Sequence, residues 1–229
     1  MKFSALLSGL IVFSVCVQGA AMSDPVDRPE GFVNAQKFIH GLQADIRYFG
    51  SNNFVGAPIR GYEAPACILS IQAATALREV QAKISTYGLG VKVFDCYRPA
   101  QSVAHFVEWA EDLDDQTMKT KYYPEVDKTR LFELGYIAAR SGHSRGSTMD
   151  LTLIDLKSGE ELDMGSGYDL FDPLSWPSDP RPTAQQRANR AFLQTLMIEN
   201  GFRGIKEEWW HFTLNDEPYP DTYFDFPVK

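Results

Sequence analysis

Histidine and cysteine are scarce in this chain, with four and three respectively among 229 residues. No Cys-rich zinc pattern can be built from so few cysteines. Positive charge is also short: 22 Lys and Arg stand against 30 Asp and Glu, a formal net charge of −8. A chain this acidic does not bind nucleic acid or anionic membranes non-specifically. There is no glycine-rich phosphate loop, and no internal repeat, low-complexity tract or charge block marks a domain boundary.

The only long apolar run lies at the start, Phe3 to Val17, preceded by Lys2 and followed by Gln18-Gly19-Ala20-Ala21. A basic start, a short apolar stretch and small residues beyond it are the pattern of a secretory signal peptide. The run is too short for a membrane span, and Val15 before Cys16 is bulkier than a lipoprotein site allows. Residues 1–21 are therefore expected to be cleaved near Ala20 or Ala21, giving a periplasmic or secreted protein without membrane insertion. Residues 22–229 are enough for one domain with a real core. An oxidising compartment permits a disulfide between Cys67 and Cys96, and two separate buried thiols are the other reading.

Residues 32–65 read as irregular, punctuated by Gly50, Gly56, Pro58, Gly61 and Pro65. Tyr48 and Tyr62 fall here, to pack on the core or line a cleft. Leu69, Ala73, Leu77, Val80 and Ile84 recur at helical spacing and predict a helix over 66–87, closed by Gly88. A strand is predicted over 91–97. Pro99 then holds Arg98 out of the helical region, so its guanidinium projects from a strand end. The plain reading of Arg98 is a surface ion pair with Asp95.

A second helix is predicted over 101–113, carrying His105 as a packed or exposed residue, and a short helical turn over 131–139. Thr183-Ala184-Gln185-Gln186 is a capping box opening a helix that Gly201 closes. A last strand is predicted over 208–214. Helices interspersed with a few strands, without a regular βαβ repeat, give an α+β domain with a small, mostly antiparallel sheet.

The candidate chemistry sits in Ser141–Leu153, SGHSRGSTMDLTL. His143 and Asp150 lie seven residues apart with small residues between them, and Asp150 opens an apolar-alternating run. Such a pair serves structural hydrogen bonding as well as metal ligation. Scarcity of histidine points to His211, in Glu207-Glu208-Trp209-Trp210-His211, as a third ligand. A carboxylate three residues ahead of it, Glu208, suits a base. Side chains three apart in a straight strand face opposite ways, so Glu208 must precede the strand or a bulge must intervene.

These residues resemble VanX-type D-alanyl-D-alanine dipeptidases, zinc peptidases of the lysostaphin/D-Ala-D-Ala metallopeptidase/hedgehog superfamily. The resemblance rests on S-x-H-x-x-G-x-x-x-D at 141–150, Tyr97-Arg98-Pro99, E-W-W-H at 208–211 and the terminal Tyr223-Phe224-Asp225-Phe226-Pro227. It implies that fold, and one Zn²⁺ held by His143, Asp150 and His211. It further implies Glu208 as base, Arg98 as transition-state arginine, and Ser141, Tyr48, Tyr62 and Asp169 as residues that hold a small dipeptide. Two alternatives remain: a D,D-carboxypeptidase or L,D-/endopeptidase acting on peptidoglycan stems, and a non-catalytic metal-binding module. The export signal departs from the cytoplasmic resistance enzymes and points to salvage of wall-derived dipeptide.

Overall fold

The computed structural model describes Met1 and residues 28–229. The expected export signal falls on residues outside that description. Among the described residues, no helix is long and apolar enough to cross a membrane.

Among the described residues, seven strands and five α-helices follow one another. β1 (Phe32–Asn34) and β3 (Ile68–Ser70) form a two-stranded antiparallel ribbon. The larger sheet holds β2 (Gln43–Ala44), β4 (Leu89–Asp95), β5 (Thr148–Asp155), β7 (His211–Leu214) and β6 (Phe202–Gly204), in that spatial order. Only the edge pair β2–β4 is parallel. The α+β class with a small, mostly antiparallel sheet is therefore the architecture observed.

The helices are α1 (Ala35–Phe38), α2 (Ile71–Ser85), α3 (Ala100–Glu111), α4 (Lys119–Tyr122) and α5 (Ala184–Glu199). α2 buries Ala73, Leu77, Val80 and Ile84 and packs on β3 and β4. It is shorter than expected, because Ile68–Ser70 pairs with β1 and Ser70 caps the helix, accepting from the Ala73 N–H. The Ser70 side chain thus ends the strand and starts the helix. The capping box of α5 is complete, with Thr183 and Gln186 bonded reciprocally. Residues 131–139 form turns rather than a helix, preceded by a 3₁₀ turn at Lys128–Arg130.

β5 is buried along almost its whole length, as the centre of a sheet covered on both faces must be. β4 carries a bulge there. Val93 pairs with Leu151, yet Asp95 pairs with Asp150, so Phe94 is an extra residue. Directly opposed residues share a face; the bulge therefore turns Asp95 to the side that Asp150 and its partner His211 occupy.

The C-terminal tail is part of the core. Phe226 stacks on Tyr97 at 4.1 Å, and the Tyr97 hydroxyl donates to the Phe226 carbonyl. Phe224 donates its N–H to Ser144 and accepts from Ala100, tying the tail to the His143 turn and to α3. Cys67 and Cys96 are joined in a disulfide that links the start of β3 to the end of β4.

Candidate active site

His143 lies in a 3₁₀ turn, Gly142–Arg145, and its own N–H is capped by the Ser141 hydroxyl. Gly146 closes the turn at φ +80°, and a Cβ there would lie 2.2 Å from the Phe32 ring. Only glycine fits that position. The His143 Nδ1–H donates to the Cys96 carbonyl at 2.7 Å. That bond fixes the tautomer and leaves Nε2 as a bare lone pair aimed at Asp150.

Asp150 and His211 face each other across β5 and β7. The Asp150 Oδ1 lies 3.3 Å from His143 Nε2 and 3.1 Å from His211 Nδ1, and the two nitrogens are 3.3 Å apart. Oδ1 is buried with no hydrogen-bond partner. A cation bound at ~2.0–2.2 Å in tetrahedral geometry separates its ligand atoms by about 3.3–3.6 Å. The observed triangle fits such an ion, and two imidazoles with one carboxylate are a zinc-type donor set. Among the described residues these three are the group able to hold a metal.

Burial works to raise the Asp150 carboxyl, but the two imidazoles overcome it and hold it well below the usual carboxylate range. Its Oδ2 accepts from the Tyr168 hydroxyl at 3.0 Å. Burial lowers the His211 imidazole, and Asp150 with Glu208 more than offsets that, so it is raised.

Glu208 precedes β7, which removes the geometric conflict of a straight strand. Its Oε2 lies 3.4 Å from His211 Nδ1, and its side chain opens to the cleft at 23 % exposure. Burial pushes its carboxyl up to about 7; Asp150 adds to the rise while His211 and Arg98 oppose it. Arg98 is clamped by Asp95, Nε at 2.9 Å and Nη2 at 2.8 Å, with its head 4.9 Å from the Tyr48 ring. Asp95 is fully buried, so this is a sequestered pair, not the surface ion pair the sequence suggested.

Asp150, His143, His211, Glu208, Arg98, Asp169, Tyr48 and Ser141 all line one cavity of about 190 Å³. Its apolar wall comes from Phe54, Phe106 and Phe171, whose rings pack on one another. Asp169 is 5 % exposed and sits at φ +59°, the only non-glycine in the left-handed region among the described residues. Burial raises its carboxyl well above the ordinary range, as do Asp150 and Glu208, against the hydrogen bond from Tyr48 and the charge of Arg98. The Tyr48 hydroxyl donates to Asp169 at 2.8 Å.

Tyr62 is placed differently from the expectation. Its hydroxyl donates to Asp95 at 2.6 Å and the ring does not line the cavity. It braces Asp95 and, through it, Arg98. His105, on α3, accepts from the backbone N–H of Arg60, away from the cluster.

Two residues escaped the sequence reading, and a third, Asp95, was read only as the partner of a surface ion pair. Asp95 needed the bulge to be seen; its only signal was its place three residues before Arg98. Tyr168, next to Asp169, holds the outer oxygen of Asp150. Arg190 on α5 donates to the carbonyls of Met164, Leu174 and Trp176 and to Ser166 Oγ, fastening the loop that presents Asp169.

Comparison with known proteins places this arrangement. The peptidase M15 family, described as D-ala-D-ala dipeptidase, matches residues 28–229. A D-alanyl-D-alanine dipeptidase of Enterococcus faecalis is 41 % identical over 199 residues, 87 % of this chain and 98 % of that protein. One of Streptomyces coelicolor is 40 % identical over 197 residues, 86 % and 98 % of the two chains. A solved structure of a mutant vancomycin resistance D,D-pentapeptidase VanY with Zn(II) covers 67 % of this chain at 13 % identity and a TM-score of 0.40, too loose a likeness to carry an argument. Since the match runs from the first described strand to the last residue and takes in the whole cluster, the chain belongs to the D-alanyl-D-alanine dipeptidase family.

Proposed function

We propose that this protein is an exported zinc dipeptidase that hydrolyses D-Ala-D-Ala to two molecules of D-alanine in cell-wall peptide turnover or salvage. The observation that carries the reading is the triangle of donors, two buried and His211 half-buried, with an orphaned carboxylate oxygen at one corner, sharing a small cavity with Glu208, Arg98 and Asp169. His143, Asp150 and His211 are the ligands in this reading. A zinc ion held there supplies Lewis acidity, lowering the pKa of water toward neutrality and polarising a carbonyl.

The rest of the chemistry belongs to the protein. Glu208 removes a proton as water adds to the scissile carbonyl carbon. The C–N bond then breaks and Glu208 returns that proton to the leaving amine; the proton of the newly formed carboxyl group passes to the same amine, so both products leave as net-neutral zwitterions. Arg98, held rigid by Asp95 and Tyr62, donates to the oxygen on which negative charge develops; loss of one such donor costs ~10²–10³ in rate. Asp169 and the Tyr48 hydroxyl receive the substrate ammonium.

Asp169 also separates this reading from a D,D-carboxypeptidase or endopeptidase working on peptide stems. A buried carboxylate has its charge met by a free ammonium and left unmet by an acylated nitrogen. A non-catalytic metal-binding module needs neither Glu208 nor Arg98. Export rests on the N-terminal pattern of residues 1–21, and the single mature domain, 22–229, is supported by one continuous core cluster. The test is alanine release from free D-Ala-D-Ala by zinc-loaded protein, with Glu208→Gln as the inactive control. A wild type that leaves the dipeptide intact overturns the proposal.

A further inference from the structure

We infer that Arg140 receives the terminal carboxylate of the substrate and so imposes the requirement for a free C-terminus; this rests on the dipeptidase reading. Three carboxylates line the cavity, Asp150, Asp169 and Glu208, against two guanidiniums, Arg98 and Arg140. Arg98 is already engaged by Asp95. Arg140 forms no ion pair among the described residues, and its head lies over the Tyr223 ring at 5.3 Å.

That ring contact orients the guanidinium without using its N–H donors. Tyr223 is itself held in place, because the next residue, Phe224, bonds through its backbone to Ser144 at 2.9 Å and Ala100 at 3.0 Å. Arg140 thus stands on the rim shared by the two recesses as a cation with no ion-pair partner among the described residues. A dipeptide zwitterion carries one charge for Asp169 and one that Asp169 repels. Arg140, on the segment leading into Ser141 and His143, is the group that matches the second. A planar guanidinium takes a carboxylate through two parallel hydrogen bonds, which an amide or a continuing peptide bond cannot accept.

The surroundings support the assignment. A neighbouring recess of about 340 Å³ shares Val103 and Arg140 with the main cavity. Ser144 lines it, 1 % exposed, and its hydroxyl has no hydrogen-bond partner. Asp221 forms part of the same recess; its charge disfavours an anion there and leaves the main-cavity side of Arg140 for the carboxylate.

The experiment compares D-Ala-D-Ala with its C-terminal amide on zinc-loaded wild type, Arg140→Ala and Arg140→Lys. Binding of both ligands is also measured calorimetrically in the Glu208→Gln background. For the acid, Arg140→Ala is expected to raise KM and Kd about 10- to 100-fold, the range for a hydrogen-bonded charge. Its kcat should stay within about threefold, as for loss of uniform binding. Amide binding should barely change, and Lys should restore part of the preference for the acid. An acid-to-amide ratio that is the same in wild type and Arg140→Ala overturns the assignment while leaving the dipeptidase reading intact. A wild type that releases no alanine from the acid overturns both.

Discussion

Asp95 and Asp150 stand directly opposite each other on neighbouring strands, and the extra residue Phe94 is what puts them on one face. Two buried carboxylates side by side repel, and Arg98 relieves the repulsion, 2.8 Å from Asp95 and 3.7 Å from Asp150. Asp95 is a positioning residue for that arginine. Asp95→Ala, which leaves the half-buried Arg98 guanidinium without its partner, is expected to destabilise by up to about 3 kcal/mol by urea denaturation. Asp95→Asn should fold better, retain zinc, and lose rate by lowering kcat more than it raises KM. A kcat equal to wild type in Asp95→Asn removes the positioning role.

Metal content separates the ligands from the base. His143→Ala, Asp150→Ala and His211→Ala should each lose zinc, whereas Glu208→Gln should hold one zinc per chain and lose activity. Atomic absorption on each purified variant, alongside circular dichroism for the fold, reads this directly. Zinc lost from a folded Glu208→Gln would make Glu208 a ligand.

Blocking the substrate amine should be costly. N-acetyl-D-Ala-D-Ala is expected to fall by about two orders of magnitude or more in kcat/KM, because Asp169 then faces an uncharged nitrogen. Asp169→Asn should damage the free dipeptide far more than the acetylated one. Equal turnover of both substrates by wild type would favour the carboxypeptidase alternative.

Arg190 acts at a distance from the chemistry. Its guanidinium satisfies three loop carbonyls, and Arg190→Met leaves them without that partner at roughly 1–3 kcal/mol each. The expected result is a lower melting temperature and a KM increase for D-Ala-D-Ala with zinc stoichiometry unchanged. Arg190→Lys, lacking the fork, should recover only part of either. A variant as stable as wild type with the same KM would show that the loop holds itself.

For the disulfide, processed protein from an oxidising compartment should show no free thiol when unfolded without reductant. The bond spans a sequence separation of 29 residues. Replacing both cysteines with alanine should cost about 3–4 kcal/mol on the chain-entropy account.

Sequence carried further for the site than for the sheet. His143 and His211 were legible because histidine is rare, and Asp150 and Glu208 because each lies close to one of them; Asp169 followed only from the family resemblance, and the structure gathers all five in one cavity. The ribbon of β1 and β3 was not, since three-residue strands are too short to display a period. Ile68–Ser70 even continued the apolar spacing of α2 and passed for its first turn. The bulge at Phe94 was hidden for a similar reason: an extra residue in an apolar run changes which face Asp95 takes without changing composition. Tyr62 and Tyr168 depended on where hydroxyls point, which only packing decides.

One end of the Cys67–Cys96 bond is the residue whose carbonyl sets the His143 tautomer. Cross-link and metal ligand therefore share a single stretch of backbone. In a reducing cytosol the three ligands persist, but the peptide that orients one of them loses its covalent tether. Reduction of the bond therefore frees the backbone on which the Nδ1 contact of His143 depends.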